Sequence, residues 1–263
     1  MVVFIERLPH PVLHPFVKAY WYLSMRQGSG VPLTMSPSPE QCLYFYPRAQ
    51  PLPLDLQGQP LPVYDNIMMG QAVSGGTKMI VPDEYCMVKI LFQPGGMFRL
   101  FGVPMTHLAN RYEETAAVLG SPIEAWNEQL MNTSTPDEAI RICNEFLISY
   151  LSKKKLSSNP IDWVLTQPTL HQRSIDQLAA DACLSSRQFE RKFLERVGVS
   201  PKMYQRVIRF NQAMKFKNTN PSKKWIDITY ACGYFDQMHL LRDFRQFTGT
   251  TPSIFDFDHA VIY

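Results

Sequence analysis

The stretch DITYACGYFDQMHLLRDFRQFTGTTPSIF, residues 227–255, decides the fold of the carboxy-terminal third of this 263-residue chain. It repeats a pattern found about 50 residues earlier. Residues 191–204 and 242–255 both read R-x-F-x4-G-x-[ST]-P-x-x-[YF], with an offset of 51. Upstream of this pattern the offset is 50, so the second copy has one extra residue in its turn. Self-similarity of this kind indicates two copies of one supersecondary unit.

Each copy predicts two short helices separated by a tight turn. In the first copy Ser174 with Gln177, and Ser185 with Gln188, have the spacing of capping boxes, which predicts a helix after each serine. The second of these helices should cover residues 186–197. Apolar residues at helical spacing predict the positions that face inward. They are Phe189, Phe193 and Val197 in the first copy, and Ile228, Ala231, Leu240, Phe244 and Phe247 in the second.

The turns of the two copies differ. In the second copy Gly233 can take the left-handed backbone of a tight turn at the least cost, and Asp236 is placed to cap the helix that follows. Cys183 stands at the matching position of the first copy, where we expect strain or a less extreme backbone angle. Between the copies, Ser200 and Pro201 predict the start of a helix to about Lys217. This helix would be about 26 Å long. It could hold the second helices of the two copies nearly one turn of DNA apart, a distance of roughly 34 Å.

Residues 160–255 resemble the DNA-binding domain of the AraC/XylS family of bacterial transcription regulators, and Cys183 departs from the glycine usual there. The resemblance implies an all-α domain of two helix-turn-helix motifs joined by a long helix, in which the second helix of each motif contacts bases. Carried over by position, the DNA-binding residues are Ser185, Ser186, Arg187, Glu190 and Arg191 in the first motif, and Asp236, Gln237, Met238, His239 and Arg242 in the second. Arginine can bind guanine, glutamine can bind adenine and glutamate can accept from cytosine.

The distribution of charge agrees with a polyanionic partner. Residues 187–245 contain 13 basic and 5 acidic residues, whereas residues 1–159 contain 12 and 13. A local excess of positive charge favours binding to phosphates through counterion release. A charge count alone is equally compatible with an ordinary solvated surface.

Proline separates the two halves of the chain, since 16 of the 21 prolines precede residue 160. The first part therefore favours strands and loops. We predict strands at residues 19–23, 42–46, 78–81 and 87–92, a turn at residues 93–96, and helices beginning near Pro122 and Pro136. The predicted division is an effector-binding or dimerisation domain at 1–151, a linker at 152–159, the DNA-binding domain at 160–255 and a tail at 256–263.

Two motifs of the first part, FVKAYWYL (residues 16–23) and LFQPGGMFRLFGVP (residues 91–104), resemble the amino-terminal domain of a subset of these regulators. The resemblance implies a β-rich, cupin-like barrel with trailing helices, hence an α+β domain, that senses a small molecule or mediates dimerisation. It names no ligand-binding residues. We expect Trp21, Tyr44 and Tyr46 to be core aromatics. We expect neither a metal nor a cofactor, because prolines interrupt the pair His10 and His14.

The resulting expectation is a sequence-specific transcriptional regulator that acts in the cytoplasm, either as an activator or as a repressor. Its expected partners are double-stranded DNA and RNA polymerase, with an unidentified small-molecule effector and a second copy of the chain as further candidates, and no membrane. We expect no enzymatic activity, since G-x-S-x-G, HExxH and G-x-G-x-x-G are absent. Two alternatives remain open: an architectural DNA binder without effector, and a DNA-repair methyltransferase that uses Cys42, Cys86 or Cys143.

Overall fold

The computed structural model describes residues 2–28, 30–55, 57–74, 77–120, 122–154 and 159–261. The strands are β1 (Val2–Arg7), β2 (Val17–Met25), β3 (Leu33–Met35), β4 (Cys42–Phe45), β5 (Leu52–Leu54), β6 (Asn66–Met69), β7 (Lys78–Ile80), β8 (Tyr85–Phe92), β9 (Tyr112–Glu114) and β10 (Ala260–Val261). The helices are α1 (Gly96–Phe101), α2 (Thr115–Leu119), α3 (Pro122–Met131), α4 (Pro136–Ser152), α5 (Pro160–Leu165), α6 (Ile175–Asp181), α7 (Ser186–Val197), α8 (Pro201–Thr219), α9 (Trp225–Ala231) and α10 (Gln237–Thr248). Half of the expected linker, residues 155–158, lies outside the described residues.

Two sheets build the amino-terminal part. One has the strand order β1-β2-β8-β4-β6-β9, and its described pairs are all antiparallel. The other has the order β10-β3-β7-β5, in which only β10 and β3 are parallel among the described pairs. The helices that follow, α3 and α4, pack on the larger sheet. With the all-α region that comes after them, this arrangement confirms the expected fold class.

The strand β8 lies at the centre of the larger sheet and is buried along its whole length. Because side chains alternate along a strand, its two faces enter different cores. Val88 and Ile90 pack with Trp126 and Leu130 of α3. On the other face, Met87 and Leu91 join a second cluster with Tyr44 and Tyr46. A run that is apolar apart from Lys89 is close to the pattern of a strand covered on both sides.

The two repeats have the predicted local structure. Both expected capping boxes of the first copy are present, and Asp236 caps α10. The turn of the second copy is one residue longer than that of the first. Helix α8 begins at Pro201 as predicted and ends at Thr219, two residues later than expected.

One predicted core position of the second copy is wrong. Ala231 is exposed, whereas Thr229 is fully buried. The Thr229 hydroxyl donates to the Trp225 carbonyl oxygen one turn earlier, at 2.8 Å, so a polar side chain can occupy the interior of α9. The other inward positions named for the two motifs are buried.

The end of the chain returns to the amino-terminal part. Ala260 and Val261 pair with Thr34 and Met35, so β10 extends the smaller sheet. The predicted tail at 256–263 therefore contributes a strand to the first domain. No helix within the described residues combines the length and hydropathy needed to cross a bilayer.

Prediction: Cys183→Gly should stabilise the protein. Cys183 has a φ of +53°, and Gly233 at the matching position has +71°. A left-handed conformation costs a residue other than glycine about 1–2 kcal/mol, so the free energy of unfolding should rise by about 1 kcal/mol.

The matched control is Cys232→Gly, since Cys232 has a φ of −97° and gains nothing from glycine. Urea unfolding of the two variants compares them directly. Equal changes in both would show that the backbone of Cys183 is not strained.

Candidate nucleic-acid interface

Helix α7 presents one polar face to solvent and one apolar face to the core. Phe189 and Phe193 are fully buried. Arg187, Glu190 and Arg191 are exposed and, at spacings of three and four residues, lie on the same side of the helix. These three predicted DNA-binding residues therefore form one accessible surface.

Helix α10 has the same arrangement. Gln237, Met238 and Arg242 are exposed. His239 is half-buried, because its ring packs edge-on against Tyr234 with the ring centroids 5.4 Å apart. The second motif thus offers three exposed side chains and a fourth that is partly held by its neighbour.

The remaining predicted DNA-binding residues form hydrogen bonds within the protein. The Ser185 hydroxyl accepts from the backbone N–H of Gln188 at 3.3 Å, and Asp236 accepts from that of His239 at 2.6 Å. Ser186 donates its hydroxyl proton to Asp176. The structure gives these three side chains a role in starting and orienting the helices.

A buried carboxylate fixes α10 against α8. Asp243 is 1% exposed and accepts from the Arg206 guanidinium, with Nε to Oδ1 at 3.1 Å. The Tyr234 hydroxyl donates to the other oxygen of Asp243 at 3.2 Å. Burial first, and then the nearby Asp243 carboxylate, raise the pKa of Tyr234, so the phenol stays protonated as a donor. Because Asp243 follows Arg242 directly, this network sets the direction of the predicted base-contacting face.

Some of the basic residues counted in residues 187–245 form contacts within the protein. Arg196 and Arg206 pair with carboxylates, and Lys217 donates to two backbone carbonyl oxygens. The charge offered to a polyanion is therefore smaller than the count from the sequence. Arg187, Arg191 and Arg242 are among the basic residues of this region that remain exposed.

The carboxyl end of α7 is tied to the amino-terminal part of the chain. The side-chain amide of Gln41, which is 1% exposed, donates to the carbonyl oxygens of Arg196 at 2.9 Å and Val197 at 3.1 Å. Both carbonyls belong to the last turn of the helix, where no intrahelical donor reaches them. The Arg196 guanidinium donates to Asp162 at 2.8 Å, and Arg99 of α1 lies 3.9 Å from the same carboxylate.

Sequence reasoning missed these tethering residues. Arg196 offered a signal, because it lies seven residues after Phe189 on the inward edge of the apolar stripe, where an arginine needs a buried partner. Gln41 and Asp162 have no comparable local signature, since their partners lie 155 and 34 residues away.

Close backbone packing strengthens this contact. Gly198 caps α7 with a φ of +94°, and a Cβ placed there would lie 2.8 Å from the Met105 carbonyl oxygen. A surface groove of about 440 Å³ also lies where the amino-terminal part and α7 meet. Its lining residues are Thr106, Arg191, Lys192, Leu194 and Glu195.

A second candidate site lies between the two sheets of the amino-terminal part. It is a cavity of about 660 Å³, walled on one side by β2, β4, β6 and β8 and on the other by β3, β7 and β10. Trp21, Tyr44 and Tyr46 line it. The expectation of core aromatics is right for the burial of the two tyrosines, but all three side chains also form the wall of a cavity.

Comparison with known proteins connects these features to a family. Residues 178–256 match a family model described as a helix-turn-helix domain. Residues 178–256 therefore carry a helix-turn-helix domain, the type of domain that the sequence resemblance implies. Residues 5–114 match a separate model, a domain of unknown function (DUF6597), which covers most of the two-sheet region. The matched helix-turn-helix domain contains α7, α8, α9 and α10, and with them both predicted contact surfaces.

A named relative supports the helix-turn-helix assignment over a short stretch of the chain. The HTH-type transcriptional regulator ArgR of Pseudomonas aeruginosa is 34% identical over 77 residues, which is 29% of this chain and 23% of that protein. The chain therefore matches about a quarter of that regulator's length. What the whole of that protein does is not transferred by this match.

Solved structures with a related arrangement include ToxT of Vibrio cholerae. ToxT of strain O395 aligns over 95% of both chains with 13% identity and a TM-score of 0.41. Wild-type ToxT of strain SCE256, in a form bound to unsaturated fatty acid, aligns over 95% of this chain and 93% of its own, with 11% identity and a TM-score of 0.42.

Prediction: Gly198→Ala should destabilise the protein more than Gly249→Ala. Both glycines end the second helix of a motif in a left-handed conformation, with φ of +94° and +72°. The added methyl at position 198 meets Met105, whereas position 249 faces open space. Overpacking costs about 1–3 kcal/mol, and we expect a difference of at least about 1 kcal/mol in the free energy of unfolding. Equal losses in a urea titration would contradict the close contact between α7 and the amino-terminal part.

Proposed function

We propose that this protein is a sequence-specific, DNA-binding transcriptional regulator whose helices α7 and α10 enter adjacent segments of the major groove. The observation that carries the proposal is the shared design of the two helices. Each begins at a capped N-terminus, buries an apolar face and leaves a polar face with at least one arginine exposed. A helix of this kind fits the major groove of B-DNA.

The chemistry of the exposed side chains supports base recognition. Arg187, Arg191 and Arg242 can each bind guanine in a bidentate manner, and Gln237 can bind adenine. Glu190 can accept from the cytosine amino group, and Met238 can contact a thymine methyl group. Phosphates would bind at the amino ends of the two helices, near Ser185 and Asp236.

Helix α8 sets the separation of the two contact surfaces. Its 19 residues give a length of about 28 Å, close to one turn of DNA. A rigid helix between the motifs favours one continuous, asymmetric site on the same face of the duplex. The network of Asp243 and Arg206 joins this helix directly to α10.

We propose further that a small molecule in the cavity modulates DNA binding. The route is short, because Glu40 pairs with Lys89 of the cavity wall at 3.0 Å and the next residue, Gln41, holds the end of α7. The cavity and this link favour a ligand-responsive regulator over a constitutive architectural binder. Activation, contact with RNA polymerase, formation of a homodimer and action in the cytoplasm belong to the same proposal.

The environment of the cysteines argues against a methyltransferase. Burial raises the pKa of Cys42 to about 12, and it raises the pKa values of Cys86 and Cys143 as well. A nucleophilic cysteine needs its thiolate form, which these environments oppose. Transfer of a methyl group from alkylated DNA to one of them would overturn the regulator proposal.

Prediction: Arg191→Ala and Arg242→Ala should each weaken binding to the selected DNA site by about 1–3 kcal/mol and relax the preference at one base position. The control is Arg141→Ala on α4, which removes another exposed positive charge, one that pairs with Glu145. Binding selection from a random DNA pool, followed by titrations at fixed salt concentration, measures both effects. If the control weakens binding as much as the two variants, the contribution is a general charge effect.

Prediction: Gln41→Glu should loosen the contact between α7 and the amino-terminal part. The carboxylate cannot donate to the two carbonyl oxygens, and the loss of both hydrogen bonds costs about 1–3 kcal/mol. Hydrogen exchange should quicken at the end of α7 and around residue 41.

Gln205→Glu is the matched control, because the Gln205 amide also donates to two carbonyl oxygens, those of Leu170 and Arg173. Both of these lie within the helical region. Here exchange should quicken only around residues 170–173. Identical exchange patterns in the two variants would contradict the proposed link.

A further inference from the structure

The turn before α10 contains one residue more than the turn before α7. After the residue with the left-handed backbone, Leu184 alone precedes the cap Ser185 in the first motif, whereas Tyr234 and Phe235 precede the cap Asp236 in the second. Leu184 packs against the core of its motif. In the second motif Tyr234 takes the inward place and is 3% exposed. Phe235 is therefore the added residue, and it lies outside the core.

The ring of Phe235 is open to solvent. It is 86% exposed, the largest value among the large apolar side chains of the described residues. A hydrophobic residue directly before a helix cap often packs on the fourth helical residue, here Leu240. Leu240 is fully buried whereas Phe235 is uncovered, so the ring does not act as such a staple. Replacing it should leave the free energy of unfolding nearly unchanged.

Phe235 lies at the end of α10 that the proposed function directs into the major groove. Recognition helices contact base edges with their amino-terminal residues. Gln237 and Met238, the first two residues of α10, are both exposed. The Asp236 carboxylate stays on the helix end, where it accepts from the backbone N–H of His239 at 2.6 Å. The exposed groups at this end of α10 therefore include a phenyl ring, a thioether and an amide.

An aromatic ring at the major groove has one matching group on the edges of the bases. Thymine carries a 5-methyl group there, and a phenylalanine can contact it through apolar surface. Apolar wedges that unstack bases are typical of proteins that bind the minor groove, which α10 would not enter.

A single exposed apolar side chain is ordinary on a protein surface. Here, however, Phe235 and Met238 lie three positions apart at one helix end, and both are exposed. The counterpart of Met238 in the first motif, the second residue of α7, is Arg187. The amino end of α10 is thus the more apolar of the two, which favours a methyl group as its contact.

We propose that Phe235 contacts the 5-methyl group of a thymine at the edge of the DNA segment that α10 contacts, and so makes the protein prefer thymine there. The contact rests on the proposed function, because it requires α10 to enter the major groove. Phe235 and Gln237 are two residues apart, so their Cα atoms are separated by at most about 7 Å. This distance equals about two base-pair steps of about 3.4 Å. The thymine should therefore lie within about two base pairs of the position that Gln237 contacts.

Removal of one methyl group from the DNA tests the contact. The site is selected from a random pool with the full chain, and the position that Gln237 contacts is the one at which Gln237→Ala relaxes the preference. Each thymine near that position, on either strand, is then replaced singly by deoxyuridine, which keeps the base pair but lacks the 5-methyl group. We expect one replacement within about two base pairs to weaken binding by about 3–5-fold, as the loss of one buried methyl group would.

Substitutions of the ring assign that methyl contact. Phe235→Ser should weaken binding to the thymine site by at least about 3-fold and should bind the thymine and deoxyuridine forms equally. Phe235→Leu, which keeps an apolar side chain, should retain the preference for thymine. Ile254→Ser is the matched control, because Ile254 is 75% exposed and follows the carboxyl end of α10. It should keep both the affinity and the discrimination.

Two results would overturn the thymine contact. One is a selected site without a preferred thymine within that distance. The other is equal discrimination between thymine and deoxyuridine by the wild-type protein and by Phe235→Ser, which would leave a protein partner as the occupant of the ring.

The arginine variants separate this inference from the proposed function. If Arg242→Ala weakens binding and Phe235→Ser does not, the DNA-binding proposal stands and the thymine contact fails. If the chain prefers no DNA sequence and both variants bind like the wild type, the proposed function fails, and the thymine contact fails with it.

Discussion

The hydrogen bonds from the Gln41 amide to the last carbonyl oxygens of α7 are the interaction on which the domain arrangement depends. A helix end buried without donors would be costly, and here the donor comes from the other domain. The buried pair of Arg196 and Asp162, both in the helical region, adds a charge-assisted bond at the same place, and Arg99 of the amino-terminal part lies 3.9 Å from the same carboxylate. A buried pair is expensive to break once it has formed, because one charge would remain without its partner. The position of α7 is therefore a property of the whole chain.

The two motifs share a sequence pattern, but their surroundings differ. The first ends at Gly198, packed against Met105, whereas the second ends at Gly249, which faces open space. The second is fixed instead by Asp243, Arg206 and Tyr234, all within the helical region. A change in the amino-terminal part would thus reach α7 directly, and it would reach α10 through the rigid helix α8. In the proposed function, this asymmetry would make the surface on α7 the regulated one and the surface on α10 a constant anchor.

Local signals made much of this fold predictable. Capping boxes, the glycine turn and the spacing of phenylalanines depend on residues a few positions apart, and they located both motifs and their exposed faces. Ala231 was placed wrongly because α9 has only seven residues, too few to fix the phase of its apolar side, and Thr229 satisfies its hydroxyl within the helix. The pairing of β10 with β3 and the bonds of Gln41 join residues far apart in the chain, and no local pattern encodes them.

One long-range contact, that of Lys89, did leave a signal in the sequence from which it could have been predicted. It is the only charged residue in the eight-residue strand YCMVKILF, and alternation places it on the same face as Met87 and Leu91. A lysine in that position needs both a counter-charge and a reason for its burial. Glu40 supplies the first, and the cavity next to Trp21 supplies the second. Because Glu40 directly precedes Gln41, the residue that neutralises the cavity wall is covalently joined to the one that holds α7. In the proposed function, the contact with the cavity wall and the contact with the DNA-binding helix α7 thus come from two consecutive residues.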